Sequence, residues 1–203
     1  MISSRLARRM ETPLLPVMKR IKINPNALTL AGFFVTSAGA FVIAQDLRAG
    51  GMVILFGSLF DSFDGMVARA NGRTSALGAY LDSVLDRYSD AFILLGVAYF
   101  LRSNPVAVAL ALGTLVGAYL VSYTRARAEG LGVDCKVGLM ERPERIILVT
   151  AGAIFGFMVP SLWVLLVLSH FTALQRIMHT RKALSASNAK TARPTVTIKK
   201  ILR

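Results

Sequence analysis

The chain has 203 residues, 54% of them hydrophobic, with mean hydropathy +0.56 and a formal net charge of +13. That apolar balance excludes an ordinary soluble domain and points to several membrane spans. The charge alone would admit nucleic acid, but the 24 Lys and Arg fall mainly at the termini and between apolar runs. Cations so placed set membrane orientation and meet anionic headgroups, so membrane lipids and not nucleic acid are the expected partner.

Taken in order, residues 1–23 interleave Arg5, Arg8, Arg9, Lys19 and Arg20 with Leu6, Met10, Leu14, Leu15, Met18 and Ile21. This pattern predicts an amphipathic helix lying in the headgroup region. It is not a signal peptide, because no continuous apolar core follows the arginines. Asn24-Pro25-Asn26 breaks the pattern. Six apolar segments follow, at about 28–46, 50–70, 76–101, 104–126, 145–159 and 161–179, each a candidate span. Gly50-Gly51, Asn71-Gly72, Ser103-Asn104-Pro105 and Pro160 punctuate them, the last expected to turn the fifth segment into the sixth. Cys135 is the lone cysteine, which excludes an intrachain disulfide and a multi-cysteine metal site.

Arg48 and Arg102 fall between segments on one side, whereas Arg69, Arg73, Arg125, Arg127, Lys136, Arg142, Arg145 and both basic ends fall on the other. The positive-inside rule then places both termini in the cytoplasm. The expected fold is an all-α integral membrane protein: six transmembrane helices plus the N-terminal interfacial helix. Residues 24–181 form one membrane domain, and 182–203 a loosely ordered basic cytoplasmic tail.

Two adjacent segments carry Asp61, Asp64, Asp82, Asp86 and Asp90. An aspartate at the centre of a membrane helix costs roughly 2.5–3.5 kcal/mol, so four cost on the order of 10 kcal/mol. Intramembrane carboxylates on that scale mark function. Asp61 and Asp64, three apart, share a helix face. Asp82, Asp86 and Asp90 repeat every four residues as a stripe on the next helix. If the two helices pack antiparallel, the stripes meet. Carboxylates held about 4 Å apart repel by about 4 kcal/mol at an effective dielectric of 20. Either several are protonated, or Arg69 and Arg87 neutralise them, or divalent cations lie between them. Oxygen-only ligands favour Mg²⁺ or Mn²⁺ over zinc. Asp90 suits either a supporting role behind such a site or a salt bridge to a nearby arginine.

Residues 61–86, DSFDGMVARANGRTSALGAYLDSVLD, read D-x2-D-G-x2-A-R-x8-G-x3-D-x3-D. This resembles the signature of the CDP-alcohol phosphatidyltransferases. The resemblance implies a homodimer of six-helix subunits, each holding two divalent ions (Mg²⁺ or Mn²⁺) over a cytoplasm-facing cavity in the cell membrane. It implies Asp61, Asp64 and Asp82 as metal ligands. Asp86 would be both a ligand and the base that deprotonates the acceptor hydroxyl. Gly65, Arg69, Ser75 and the segment Asn24-Pro25-Asn26-Ala27 would contact the CDP moiety of CDP-diacylglycerol. The residue types suit these roles. Gly65 lets a nucleotide approach closely, unless it serves helix packing instead. Arg69 offers a planar fork of donors to a diphosphate.

A second constellation lies in SYTRARAEGLGVDCKVGLMERPER, residues 122–145. Arg125, Arg142 and Arg145, with Arg176, could build a basic pocket for a phosphorylated acceptor; cytoplasmic-loop charge alone would also account for them. SY-x-R-ARAE, ERPER and Gln175-Arg176 are similar to the phosphatidylinositol phosphate synthases of the family. Arg125 stands where that group usually has lysine. The similarity implies that Arg125, Arg145 and Arg176 bind the phosphate of a myo-inositol phosphate. Glycerol 3-phosphate is the alternative acceptor, and an archaeal source would imply an archaetidyl donor. A small cation transporter would also use buried aspartates, but it gains nothing from Arg69 among them.

Overall fold

A computed structural model of the chain describes residues 25–72 and 75–191, with the side chains at 25, 60–64, 68 and 187–191 outside that description. The expected interfacial helix over 1–23, Asn24 and the end of the tail also lie outside the described residues. Within them the chain is helical throughout, with no strand. Its helices are α1 (Pro25–Ile43), α2 (Leu47–Ala70), α3 (Ala76–Phe100), α4 (Pro105–Gly130), α5 (Arg142–Phe155) and α6 (Met158–Thr191).

Local sequence sets the helix ends. Asp46 caps α2 by accepting hydrogen bonds from the Arg48 and Ala49 amides at 2.8 and 3.0 Å. Ser75 caps α3 through the Gly78 amide at 3.0 Å, and Asn104 caps α4 through the Ala107 amide at 3.2 Å. Each satisfies an amide that the first turn leaves without a partner. Pro105 and Pro143 sit in the first turns of α4 and α5, where a missing N–H costs nothing.

Two boundaries differ from expectation. The α5–α6 turn is at Gly156-Phe157, and Pro160 lies inside the first turn of α6. Gly156 has φ +81°, the left-handed stop that glycine adopts without strain, whereas proline is tolerated in an opening turn. Second, α6 continues to Thr191, past Arg181 and into the stretch expected to be loose. Lys182, Ala183, Leu184 and Ala186 are all helix formers that prolong it. Among the described residues, α1 packs against both α2 and α3, α2 also against α5, and α4 against α3 and α6. Gly96 of α3 rests against the Ala40 carbonyl of α1, and Gly50 of α2 against the backbone of Ile43. A Cβ at either position would overlap its neighbour. Small residues let these backbones approach closely, as in membrane helix pairs.

The core runs along the bundle through Ile43, Ile54, Ile93, Val97, Leu162 and Leu165. The outer surface is apolar as well, with Phe34, Phe41, Trp163 and Phe155 at 64, 71, 51 and 73% exposure. Large apolar residues facing outward on several helices suit a lipid surround and not water. By length and composition α1, α4 and α6 contain stretches able to cross a bilayer: Asn26–Ile43, Pro105–Gly130 and Met158–Ala186.

Candidate functional site

Chain alternation brings the start of α3, the ends of α2 and α4, the start of α5 and the latter part of α6 to one end of the bundle. Arg69, Arg125, Arg127, Lys136, Arg142, Arg145 and Arg176 lie there, whereas Arg48 and Arg102 mark the opposite end.

An open cavity of about 860 Å³ occupies the basic end, between α3, α4, α5 and α6. Asp86 and Asp90 line it from α3, Arg125 from α4, Arg142 and Arg145 from α5, and Arg176 from α6. The arginine constellation expected from three distant segments is therefore one site.

Its geometry is a lattice of ion pairs. Arg145 Nη2 lies 2.5 Å from Asp90 Oδ2, and Arg142 Nε lies 3.7 Å from Asp90 Oδ1. Arg142 Nη1 also reaches Asp86 Oδ1 at 3.0 Å. Arg176 Nη2 contacts Glu141 Oε1 at 3.1 Å, while its Nη1 and Nε donate to the carbonyls of Val121 and Val137 at 2.7 and 2.8 Å. Arg125 pairs with Glu129 at 2.9 Å and reaches Glu141 at 3.8 Å. Arg145 and Arg176 are buried, so their guanidiniums are held in place; the Arg125 side chain is 42% exposed. Asp90 thus takes the salt-bridge reading.

Helix geometry explains the division of labour along α3. Residues four apart overshoot a full turn by about 40°. Asp82, Asp86 and Asp90 therefore span about 80° of one face, a stripe that winds slowly along the helix. Asp90 faces the arginines, Asp86 lines the cavity beside it, and Asp82 lies outside the cavity lining.

Glu141 and Thr172 went unnoticed as contributors. Buried Thr172 accepts hydrogen bonds from the Leu139 and Met140 amides at 3.3 and 3.0 Å. This pins the irregular loop before α5 onto α6 and delivers Glu141 to both Arg125 and Arg176. Glu141 sits within the ERPER string, which was the available signal; nothing local marks Thr172.

The nucleotide-side residues form a second group. An added Cβ at Gly78 would lie 3.0 Å from both Asn26 Oδ1 and Ser75 Oγ, so Asn26 of α1 sits against the first turn of α3. Ala27 follows on the exposed face of α1's first turn. At Gly65 an added Cβ would meet the Arg69 guanidinium, with Nη1 nearest at 3.2 Å. The glycine leaves room for Arg69 to fold back over the helix.

Asp82 and Asp86 are partly buried and offer oxygen donors only. Asp61 and Asp64 belong to the C-terminal half of α2, with side chains outside the description, and no group of three metal-ligating side chains assembles among the described residues. The oxygen-only donor set suits a hard divalent cation.

Known proteins carry the same pattern. The sequence model of the CDP-alcohol phosphatidyltransferase family matches residues 22–187. An archaetidylinositol phosphate synthase of Methanothermobacter thermautotrophicus is 37% identical over 81% of this chain and 86% of its own length. A phosphatidylinositol phosphate synthase of Mycobacterium tuberculosis is 36% identical over 83% of this chain and 84% of its own. The crystal structure of the M. tuberculosis phosphatidylinositol phosphate synthase with CDP-DAG bound superposes with TM-score 0.75 at 32% identity, covering 85% of this chain and 94% of that one. The M. tuberculosis synthase in complex with manganese and citrate gives 0.74 at 33% identity, covering 84% and 88%. With its signature, its fold and its relatives in agreement, this chain is an enzyme of the CDP-alcohol phosphatidyltransferase family.

Proposed function

We propose that the enzyme transfers the phosphatidyl group of CDP-diacylglycerol to a hydroxyl of a myo-inositol phosphate, yielding phosphatidylinositol phosphate and CMP. The observation that carries this reading is a cavity whose lining holds Asp86 together with Arg87, Arg125, Arg142, Arg145 and Arg176. A nucleophilic alcohol that also bears a phosphate needs that pairing of base and cationic pocket. Names and ligands of the relatives support it: inositol phosphate synthases, one with CDP-DAG and one with manganese.

In this reading Asn26, Ala27, Ser75, Gly65 and Arg69 hold the CDP moiety at the ends of α1, α2 and α3. Arg125, Arg145 and Arg176 grip the acceptor phosphate. Asp86 accepts the proton of the acceptor hydroxyl as its oxygen bonds to the phosphatidyl phosphorus, and the P–O bond to CMP breaks. Asp61, Asp64, Asp82 and Asp86 would hold two Mg²⁺ or Mn²⁺ ions, which when bound neutralise the diphosphate and the charge developing on the departing CMP. Six spans belong to this reading, and the cations gathered at the cavity end support placing the cavity and both chain ends on the cytoplasmic side of the cell membrane. A homodimer is expected from the family.

Purified protein given CDP-diacylglycerol and, in separate reactions, inositol phosphate, free inositol, glycerol 3-phosphate or serine tests this reading through CMP release. Inositol phosphate is expected to be the preferred acceptor. Preference for free inositol or serine would refute a phosphate-binding pocket, and preference for glycerol 3-phosphate would reassign the acceptor within the same chemistry.

A further inference from the structure

We propose that Arg142 is a positioning residue that links the acceptor pocket to Asp86, withholding that carboxylate until a phosphate enters the cavity. The inference rests on the function proposed above and goes beyond it, because that reading uses Arg142 only as part of the pocket's positive charge.

Asp86 must offer its oxygens to a cation and to the acceptor proton, yet Arg142 Nη1 lies 3.0 Å from its Oδ1. An oxygen engaged by a guanidinium is a poorer ligand for a second positive charge, since the two cations repel and share one set of lone pairs. Arg142 also lines the cavity, so the same fork can turn to an incoming phosphate. Its neighbours are held by other groups. Arg176 is fixed by the Val121 and Val137 carbonyls together with Glu141. Arg145 is tied to Asp90 at 2.5 Å and buried. Arg125 pairs with Glu129 and Glu141. Arg142 Nε also lies 3.7 Å from Asp90 Oδ1, which places the guanidinium between the two carboxylates.

Thermodynamic linkage then requires reciprocity. A phosphate that draws Arg142 away strengthens cation binding at Asp86, and a bound cation strengthens phosphate binding by the same factor. The acceptor would thereby help to complete the site that activates it.

The test is Mn²⁺ titration of the full-length protein in detergent, without CDP-lipid, read from the free-ion paramagnetic resonance signal. It is run with and without myo-inositol phosphate and corrected for Mn²⁺–phosphate complexes in the buffer. In the wild type the phosphate is expected to tighten Mn²⁺ binding by about fivefold or more. In Arg142→Met, Mn²⁺ should bind more tightly without phosphate, and adding it should change affinity by less than about twofold. Arg142→Gln, which keeps polar contacts, gives the same comparison should the apolar variant fail to fold. Coupling that survives in these variants would mean the phosphate acts without Arg142 and would overturn the inference. So would wild-type Mn²⁺ binding indifferent to phosphate. Failure of the underlying reading looks different: Mn²⁺ binding that is absent, or unchanged in Asp86→Asn.

Discussion

Asp90 and Arg145 form the most deeply buried ion pair described, and separating its partners has a calculable consequence. Their side chains are 7 and 6% exposed, with 2.5 Å between Oδ2 and Nη2. Charge centres roughly 4 Å apart attract by about 4 kcal/mol at an effective dielectric of 20. Replacing one partner leaves the other charge buried and uncompensated, which costs about 3–5 kcal/mol. Asp90→Leu and Arg145→Met are therefore each expected to destabilise the fold by about that amount. The double variant removes both charges at nearly constant volume and is expected to lose about 3 kcal/mol less than the two single losses summed. Reversible unfolding in mixed micelles with increasing SDS, run as a double-mutant cycle, measures it. Additive losses, agreeing within about 0.5 kcal/mol, would refute the pairing as an energetic unit.

Asp86→Asn should abolish CMP release while CDP-lipid binding persists; near-normal turnover would remove Asp86 as the base. Exhaustive chelation of divalent cations should stop turnover, and restoring Mg²⁺ or Mn²⁺ should recover it. Activity that survives chelation counts against a metal-held diphosphate. Gly65→Ala should leave the helix as stable or more so by roughly 0.5–1 kcal/mol, yet weaken CDP-lipid affinity because the new methyl displaces Arg69. Unchanged affinity would show that the Arg69 position is unimportant. Arg125→Ala breaks a partly exposed i, i+4 pair worth about 0.3–0.5 kcal/mol, so thermal stability should hold while KM for a phosphorylated acceptor rises. A rise in KM for the CDP-lipid instead would place Arg125 on the wrong substrate.

Much of this enzyme was legible in one dimension. Apolar runs, their punctuation and the cation asymmetry report helices and their alternation directly, because those properties depend on neighbours within a few residues. The spacing from Asp61 to Asp86 carries the family signature for the same reason: residue type and helical phase are local. Errors fell where two local signals competed. Pro160 reads as a break, but Gly156 stops the helix first, since a left-handed residue ends a helix whereas a proline can begin one.

What the order of residues left undecided is who meets whom. Asp90 matched its neighbours upstream by spacing, yet the winding of α3 and the arrival of α5 turned it toward Arg145. Thr172 has no distinguishing neighbours, and its meaning comes from two loop amides more than thirty residues away in sequence. That α1 lies against both α2 and α3 was likewise not written in either helix's own sequence. Residue identity determined which charges the membrane would hold, and tertiary packing decided which of them neutralise one another and which face the cavity. Coulomb interaction depends on distance in space, and only the folded chain defines that distance.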